Sequence, residues 1–593
     1  MFCISCVSIY SLSARGDLRL FDIPNIVAHQ YQTGIGAGDA GGDTLVVFLC
    51  QLVKAQVGAD DGGAAAKNAG VDDIVQAGHG IGRGVLGAQV VQDQQVRMKH
   101  PLLRILQVAG AAEILILQVG QDVVGGAVRD LLLGKAPGDF DVATSARPES
   151  VISILEPAGF TVVGELGQNF GVVVVHRDSQ TVEIATFRGE AYGGDAHKPE
   201  QVWYCDDLEA DLSRRDFTVN AMALDQSGNV YDYHGGRQDL QQKILRTVGD
   251  APARYQEDAL RMYRACRFVG QLGFDYVQRQ GAGPAFGQPQ TPYYLPQSYS
   301  FPVSRSAGLS LERVRTELDK LLLGKWAGKG LMLLMATGLA AGRCRVREQG
   351  TYREIYVLPE LEHLAGLPQN QRFHCYDVWE HTLAAVDNSP RQLAIRWALL
   401  LHDVAKGLPG IRRLNKEGQP SDHGHEAESA VMAEVILSRL RYPAPFVQRV
   451  VWLVSRHMRF APMLVTGERT LLRWLRSEAA GGNFKDSHEM TAAFEQLVAV
   501  FLADMGATHA GKNTELMEEG RALGTAVLEL ARSKMPVHTK DLAISGHDVL
   551  VLLEDKSKIR DAMRYLLQRV QSTNLPNERS ALEEAVRGWQ KRH

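Results

Sequence analysis

Two stretches of the chain, at residues 171–176 and 182–188, have the hydrophobic pattern of β-strands, the first as a continuous run of valines and the second by alternation. Alternation with a period of two is typical of β-strands, whose successive side chains point to opposite faces. In the second stretch Glu183 stands between apolar neighbours. Upstream, between residues 124 and 144, a Gly-Gly turn leads into an apolar helical segment and then into a short strand. These elements predict a small mixed sheet flanked by helices.

Helical periodicity dominates the rest of the chain after it resumes at Leu309. The predicted fold class is therefore α+β, with a small mixed-sheet head followed by an all-helical remainder. Two patches break the pattern. An irregular Pro/Gln/Tyr-rich insertion covers about residues 279–303, and a second patch lies near Ala340 to Tyr356. We interpret both as loops or as local reading-frame damage.

Residues 1–120 differ in composition and periodicity from the rest of the chain. They are rich in Gly, Ala, Val, Gln and Asp, and Glu113 is their only glutamate. They show little helical or alternating periodicity, which is weak support for a packed domain. We predict a disordered or mistranslated segment, with a Gly/Ala-rich folded domain as the alternative.

Composition limits the class of protein. A chain of 593 residues is long enough for several domains, and its 45% hydrophobic and 22% charged content indicates a soluble globular protein. The net charge of -4 does not by itself indicate a nucleic-acid binder, but it is compatible with a local basic face. Of the seven cysteines only Cys3 and Cys6 have metal-type spacing, which favours a reducing compartment. We expect no membrane partner and a cytoplasmic location, because we find neither a run of apolar residues long enough to span a bilayer nor a signal peptide.

The strand after the Gly-Gly turn contains Asp139 and Asp141. Alternation puts both carboxylates on one face, with Phe140 turned towards the core. Mg²⁺ prefers carboxylate oxygens together with substrate phosphates, and two ions can activate a hydroxyl and stabilise leaving pyrophosphate. An exposed strand end with two solvated acids is the alternative. The upstream Gly-Gly-x-x-Arg-Asp favours the metal site, because it offers phosphates a close backbone approach. Glu183 is a candidate third acid or an exposed strand residue.

Two further blocks contain charged residues at helical spacing. In Arg214-Arg-Asp-Phe-Thr-Val-Asn-Ala, the i, i+4 spacing puts Asp216 and Asn220 on one helical face. In Glu257-Asp-Ala-Leu-Arg-Met-Tyr-Arg, Asp258 is followed by arginines at every third position, including Arg261 and Arg264. Such a stripe is usually a solvated helix face. Its alternative is a surface that holds triphosphate and recognises a base edge.

Taken together, these blocks resemble the bacterial class II tRNA nucleotidyltransferases, the CCA-adding enzymes, and their relatives the bacterial poly(A) polymerases. The matching order is Gly-Gly-x-x-Arg-Asp, Asp-x-Asp, Arg-Arg-Asp-x-x-x-Asn-Ala, Gly-x-x-Asp-Leu and Glu-Asp-x-x-Arg, from about Val124 to Phe274. The resemblance implies template-independent addition of CCA to the 3′ end of tRNA from CTP and ATP. It also implies a nucleotidyltransferase head and Mg²⁺ as its cofactor.

The resemblance assigns roles to named residues. Asp139 and Asp141 would bind the catalytic metals. The protein template that selects CTP and ATP would consist of Arg215, Asp258 and Arg261. The residues expected to hold the nucleotide elsewhere are Gly125, Gly126, Arg129, Asp130, Asp216, Asn220 and Arg264. The chemistry agrees, because Asp258 can accept from the amino group of cytosine or adenine while Arg261 donates to a ring acceptor.

A second set of chemically notable residues lies in the helical half. His381, the adjacent pair His402 and Asp403, and the distal Asp504 follow the ligand order of an HD-type metal phosphohydrolase. A divalent transition metal accepts such mixtures of imidazole and carboxylate. A lone His-Asp pair is usually structural, and the ordered set of four favours the metal site. Further histidines between them, as in HD proteins with a second metal position, are His423, His425 and His457.

The HD motif favours the CCA-adding enzymes, because many of them have HD domains whereas the poly(A) polymerases usually end in a basic tail. The expected division is a doubtful segment 1–120, a head 121–250, a nucleotide-selecting neck and RNA-binding region 251–365, an HD domain 366–515 and a helical tail 516–593. One rival is a poly(A) polymerase or a relative that adds only CC or only A. Another is an HD phosphohydrolase with a non-catalytic RNA-binding head. The sequence leaves the oligomeric state open.

Overall fold

A computed structural model of the chain describes residues 9–12, 18–21, 122–138, 140–163, 171–177, 180–193, 199–278, 300–466, 468–572 and 575–592. The chain divides into two compact units, Met1–Asp93 and Gln94–His593. In the first unit, the strands Ile9–Leu12 and Leu18–Phe21 pair antiparallel. The rest of the doubtful segment 1–120, and residues 279–299 of the expected insertion, lie outside the described residues.

The head contains the predicted mixed sheet, which has seven strands within the described residues. Its strands, in spatial order, are Val230–Tyr231, Ala223–Leu224, Asp122–Val124, Asp141–Thr144, Gln180–Thr186, Val172–Arg177 and Thr161–Val162. Asp141–Thr144 and Gln180–Thr186 run parallel, and the other described neighbours in this sheet are antiparallel. Two small pairs lie beside it: Arg188–Tyr192 with Pro199–Tyr204, and Ile244–Leu245 with Asp275–Tyr276.

Six helices of the head and of the beginning of the neck flank these strands in the described part of the chain. They are Gly126–Leu132, Pro148–Leu155, Leu208–Ser213, Gly236–Gln242, Ala251–Glu257 and Leu260–Leu272. The helix expected through the Glu-Asp-x-x-Arg block is broken, because Asp258 adopts an extended conformation at the end of Ala251–Glu257. Asp216 and Asn220 do not share an α-helix either, since the segment between them is the short 3₁₀ helix Thr218–Asn220.

Helices make up most of the structure after residue 300. Their bounds are Leu311–Leu322, Ala327–Ala336, Val378–Asn388, Leu393–Leu401, His425–Arg439, Ala444–Arg456, Met463–Thr466, Glu468–Ala480, Ser487–Gly506, Thr514–Lys534, Gly546–Leu552, Ile559–Ser572 and Arg579–Gln590. Short 3₁₀ turns occur at Val303–Gly308, Pro359–Leu364, His457–Arg459, His509–Lys512, Thr539–Asp541 and Lys556–Lys558.

The α+β fold class is confirmed, but the part after the head is not helical throughout. Arg343–Glu348 pairs with Thr351–Tyr356, and Arg412–Leu414 pairs with Pro420–Asp422. The first hairpin accounts for most of the patch that was expected to be a loop or reading-frame damage. It forms because the buried Cys344 and Val346 alternate with arginines, which is the pattern of a strand with one buried face.

A continuous hydrophobic core runs from the head through the neck to the HD helices. A second cluster lies between the head sheet and the helix Pro148–Leu155, and a third holds the tail together from Leu542 to Trp589. Among the described residues, no helix combines the length and the apolar composition needed to cross a membrane.

Candidate functional sites

Asp141 is the first residue of a central strand of the head sheet. It stands in register with Val124 on one side and with Glu183 on the other. Residues in register share a face of the sheet, so the exposed carboxylates of Asp141 and Glu183 are neighbours. Asp139 lies outside the described residues, and its pairing with Asp141 stays a prediction. The strand begins later than predicted, since Phe140 precedes it.

The Gly-Gly turn lies next to Asp141. Gly125 has φ of 76° and ψ of -134°, a backbone conformation that residues other than glycine strongly disfavour. Its N–H donates to the carbonyl of Met222 at 3.1 Å. A Cβ atom at this position would lie 2.9 Å from Nη1 of Arg215 and 3.6 Å from Oδ2 of Asp141. Glycine is therefore required both for the turn and for the close approach of Arg215.

A chain of polar contacts joins three elements of the head. Arg129 donates from Nη1 to Oδ1 of Asn220 at 2.8 Å, and Nδ2 of Asn220 donates to Oδ1 of Asp216 at 3.1 Å. Arg264 donates from Nε to Oδ2 of Asp216 at 2.7 Å. Burial alone would raise the pKa of Asp216, but Arg264 and Asn220 outweigh it and lower the pKa to about 2. Asp130 takes part through its ion pair with Arg129 at 2.8 Å.

A second group of ion pairs orders the Arg-Arg-Asp block. Asp211 is fully buried and pairs with Arg214 at 2.8 Å and with Arg215 at 3.3 Å. Arg214 also contacts Glu190 at 3.1 Å, and the hydroxyl of Tyr192 donates to Glu190 at 2.6 Å. These acids hold the two guanidinium groups at the edge of the cleft that Asp141 faces.

Asp258 and Arg261 lie at the junction of two helices. Asp258 accepts from the N–H of Leu260, the first residue of the second helix, at 3.0 Å. Burial raises the pKa of Asp258 despite the opposing effect of Arg261. Arg261 is 4% exposed and donates to the carbonyl of Arg214 at 2.7 Å and to Glu257 at 2.9 Å. The guanidinium is therefore fixed in orientation before any ligand binds.

The arginine stripe is not a solvated helix face. Arg267 is 8% exposed and pairs with Glu317 at 2.5 Å. The guanidinium groups of Arg129, Arg264 and Arg267 lie 5.3, 5.5 and 3.9 Å from the ring centre of Phe268. Cation–π contact and ion pairing compensate for the lost hydration of these arginines.

The described nucleotide-site candidates of the head and neck open into one cleft of about 1110 Å³, which we call the nucleotide cleft, whereas Glu183 does not line it. Its described lining includes ten arginine or lysine residues and five aspartate or glutamate residues, so it is suited to a polyanionic ligand. Sequence reasoning missed several of its lining residues, since they belong to no recognised motif: Glu190, Tyr192, Arg313, Lys320, Arg345 and Tyr352.

The HD motif residues meet in the helical half, and we call this group the HD centre. Nε2 of His381 lies 3.3 Å from Nε2 of His402 and 3.0 Å from Oδ1 of Asp504. Asp403 places Oδ2 3.2 Å from Nε2 of His402. These four residues come from three places along the chain and are buried together, apart from Asp504, whose side chain is 18% exposed.

Two more histidines complete the HD centre on the other side of Asp403. Nε2 of His425 lies 3.0 Å from Oδ1 of Asp403 and 3.2 Å from Nε2 of His457. His423 is exposed and is not one of the clustered metal-ligand candidates among the described residues. Sequence reasoning also missed Lys406, whose Nζ lies 2.7 Å from Oδ2 of Asp403.

The donor set of the HD centre fits a divalent metal. Nδ1 of each of four histidines faces a backbone carbonyl, at 3.3 Å for His381 and at 2.7 Å for His402, His425 and His457. If each Nδ1–H donates to its carbonyl, each Nε2 atom carries a lone pair. The Nε2 atoms then face each other in two pairs, His381 with His402 at 3.3 Å and His425 with His457 at 3.2 Å. A cation bound by the Nε2 atoms would remove the repulsion between these facing lone pairs. Burial, together with His402 and His425, lowers the pKa of His457 to about 3, which keeps it neutral and able to bind metal.

Three family models match the chain. The head domain of poly A polymerase matches residues 122–246, and the HD domain matches residues 373–490. Between them, residues 307–342 match a probable RNA and SrmB-binding site of polymerase A. The matched segments contain the predicted head motifs up to Leu240 and the histidines of the HD centre.

Curated relatives of the chain are CCA-adding enzymes. The CCA-adding enzyme of Geobacillus stearothermophilus is 43% identical over 291 residues, which are 49% of this chain and 61% of that protein. The one from Bacillus pumilus is 38% identical over 269 residues, which are 43% and 62% of the two chains. The chain thus spans less than two thirds of these relatives. Among solved structures, the Bacillus stearothermophilus CCA-adding enzyme in complex with CTP is 25% identical with a TM-score of 0.50, covering 82% of this chain and 99% of that one.

Proposed function

Because the chain carries a poly A polymerase head domain and an HD domain and resembles the CCA-adding enzymes, we propose that it adds CCA to the 3′ end of tRNA. The substrates would be CTP, ATP and a tRNA that lacks its 3′ end. The observation that carries the proposal is the opening of Asp141, Asp258 and Arg261 into one positively charged cleft. This arrangement unites a metal-binding carboxylate, a base-selecting pair and a surface for triphosphate.

The reaction requires mainly positioning and charge neutralisation. The tRNA 3′-hydroxyl attacks the α-phosphate, an O–P bond forms, the bond to the β-phosphate breaks, and pyrophosphate leaves while the hydroxyl proton is released. Mg²⁺ held by Asp139 and Asp141 would neutralise phosphate charge and favour ionisation of the hydroxyl. Arg129 and Arg264, fixed through Asn220 and Asp216, would hold ribose and triphosphate.

Asp258 and Arg261 would select the base, with Arg215 as the third member of the template. Cytosine and adenine present an amino donor beside a ring acceptor, which complements a carboxylate beside a guanidinium. Uracil and guanine present the reverse pattern there, so the same pair would leave buried polar groups unpaired. The fixed orientation of Arg261 supports this role.

The direct test is incubation of tRNA lacking its 3′ end with CTP, with ATP and with both. The expected product with both nucleotides is a single CCA addition. Long A tails from ATP alone would contradict the proposal and favour a poly(A) polymerase. Addition that stops after CC, or that adds only A, would identify a partial-adding relative.

The metal assignment is tested by the double variant Asp139→Ala/Asp141→Ala. Because metal stabilisation of the transition state contributes several kcal/mol, we expect addition to fall by at least about 100-fold. The matched control is Asp225→Ala, since Asp225 follows another strand of the same sheet and does not line the nucleotide cleft. Full activity in the double variant would show that the metal assignment is wrong.

A second function, metal-dependent hydrolysis of nucleotide phosphates, is proposed for the HD centre. Its specific support is the convergence of four imidazole Nε2 atoms on Asp403 and Asp504. A divalent transition metal bound there would polarise a phosphate and activate water. Hydrolysis by the wild-type chain without any nucleotide addition would instead favour a phosphohydrolase whose head only binds RNA.

A further inference from the structure

The hairpin formed by Arg343–Glu348 and Thr351–Tyr356, which we call the basic hairpin, has one face that is covered neither by the core nor by a described neighbour. It lies between the segments that match known domains. Its register pairs three arginines on one strand with residues of the other: Arg343 with Tyr356, Arg345 with Glu354, and Arg347 with Tyr352. Since residues in register share a face, these six side chains lie on the same side.

The composition of this face is that of a surface for single-stranded nucleic acid. Tyr352 is 62% exposed and Tyr356 is 53% exposed. The guanidinium of Arg345 lies 4.9 Å from the ring centre of Tyr352. Arg343 is paired with Glu354 at 2.8 Å, whereas Arg345 and Arg347 have no acidic partner within the described residues. Exposed aromatic rings beside uncompensated arginines bind bases by stacking and phosphates by charge.

The basic hairpin is held firmly by its backbone. The N–H of Arg345 donates to the carbonyl of Leu309 at 2.8 Å, and the hydroxyl of Ser306 donates to the carbonyl of Arg343 at 2.8 Å. Near the turn, Arg441 donates to the carbonyl of Arg347 at 3.0 Å. Burial of Cys344 and Val346 fixes the opposite face. A face fixed in this way loses little conformational entropy when a ligand binds.

This face is continuous with the nucleotide cleft, because Arg345 and Tyr352 line that cleft. We propose that the basic hairpin binds the unpaired 3′ end of an RNA and leads it into the nucleotide cleft. The identification of this RNA as a tRNA rests on the function proposed above. Tyr352 and Tyr356 are four residues apart on one strand, or about 13 Å, so each ring would stack on its own base.

The test measures the affinity of the full chain for two tRNAs, one with unpaired 3′ nucleotides and one with a blunt acceptor stem. Tyr356→Ala should weaken binding of the first by about 5- to 100-fold and leave the second unchanged. Tyr356→Phe should restore binding, because it keeps the aromatic ring. Arg347→Ala should make the salt dependence of the first affinity shallower by about 0.7 in log–log slope.

Arg353→Ala is the matched control, since Arg353 is an exposed arginine of the same hairpin that pairs in register with Val346 and so lies on the other face. It should bind both tRNAs like the wild type. CTP affinity should stay unchanged in all four variants, which verifies an intact fold and cleft. The inference is overturned if Tyr356→Ala and Arg347→Ala bind RNA like the wild type, as they would if the face docked a protein. It is also overturned if Arg353→Ala loses as much affinity.

These outcomes are separate from those of the proposed function. If the wild type adds no nucleotides but its RNA affinity responds to the Tyr356 and Arg347 variants, CCA addition fails and the basic hairpin remains an RNA-binding surface. If the wild type adds CCA and the variants bind normally, only the inference fails.

Discussion

Asp258 illustrates how burial at one residue sets the chemistry of the nucleotide cleft. It occupies the break between two helices, where burial raises its pKa although Arg261 lies nearby. A carboxyl whose pKa is raised on folding opposes folding above its unfolded pKa. Burying the Asp258 carboxylate therefore lowers folding stability, and it places a hydrogen-bond acceptor inside the cleft.

The pKa of Asp258 predicts how base selection depends on pH. The ionised form is present above the raised pKa and is lost as the pH falls through it, at a higher pH than for an ordinary aspartate. We expect the ratio of C to U incorporation to fall as the pH is lowered towards this raised pKa. Asp258→Ala should show a low ratio that does not change with pH. A wild-type ratio independent of pH would contradict the role of Asp258.

Gly125→Ala tests the turn beside Asp141. The backbone conformation at Gly125 costs other residues about 1–3 kcal/mol, and the new Cβ would meet Nη1 of Arg215. We expect lower stability and weaker CTP binding. The control is Gly134→Ala, since Gly134 also has a positive φ, of 71°, but a Cβ there meets no atom within 4 Å. It should lose stability but keep CTP affinity; an equal loss of affinity would show that contact with Arg215 does not matter.

At the scale of elements, the helix Leu260–Leu272 is attached to the head by its arginines. Arg264 contacts Asp216, and Asp216 contacts Asn220, which accepts from Arg129 on the helix Gly126–Leu132. Three elements far apart in sequence are thereby fixed relative to one another. Their relative position decides whether Asp258, Arg261 and Asp141 line the same cleft.

Asp216→Asn tests this attachment. Breaking a buried ion pair typically costs about 3–5 kcal/mol, and we expect about 2–3 kcal/mol here because the Arg264 side chain is 34% exposed. CTP affinity should fall as well. The matched control, Asp275→Asn, removes the partner of Lys329 from a pair in which Asp275 is 55% exposed, and should cost about 0–1 kcal/mol. Denaturant unfolding measures the loss of unfolding free energy in each variant. Equal losses would show that Asp216 contributes no more than an exposed acid.

At the scale of the molecule, the nucleotide cleft and the HD centre use different residues and different elements. The cleft is lined by residues of the head and neck up to Tyr352, whereas the HD centre draws on helices from Val378–Asn388 onward. This separation supports the proposal of two independent centres in one chain.

His402→Ala/His457→Ala tests this independence. The double variant removes one imidazole from each side of Asp403, so we expect loss of bound divalent metal and of phosphate hydrolysis. Nucleotide addition should remain within about twofold of the wild type, since no residue is shared. The control is His423→Ala, whose histidine is exposed. Metal analysis and both activities are measured on each protein, and a parallel loss of nucleotide addition would contradict independence.

The resemblance to CCA-adding enzymes and the presence of head and HD domains are confirmed, and so is the mixed sheet followed by helices. The prediction of a loop or reading-frame damage near Ala340 to Tyr356 is wrong, because most of this patch forms a regular hairpin. The alternation of apolar and polar residues there is short, and its polar positions are arginines rather than neutral residues. The pattern therefore did not indicate a strand clearly. The site roles of Asp139, Asp141 and the ligands of the HD centre stay predictions.

The sequence alone determined which groups could do chemistry, because Asp-x-Asp, Glu-Asp-x-x-Arg and the His-Asp pair are recognisable by residue type and spacing. Only the tertiary structure decided which of them meet. The packing of the helix Leu260–Leu272 against the head brings Asp258 and Arg261 into the cleft of Asp141, and it buries arginines that periodicity alone assigned to solvent. The physical reason is that burial, ion pairing and cation–π contact depend on neighbours distant in the chain. Local sequence cannot specify these neighbours.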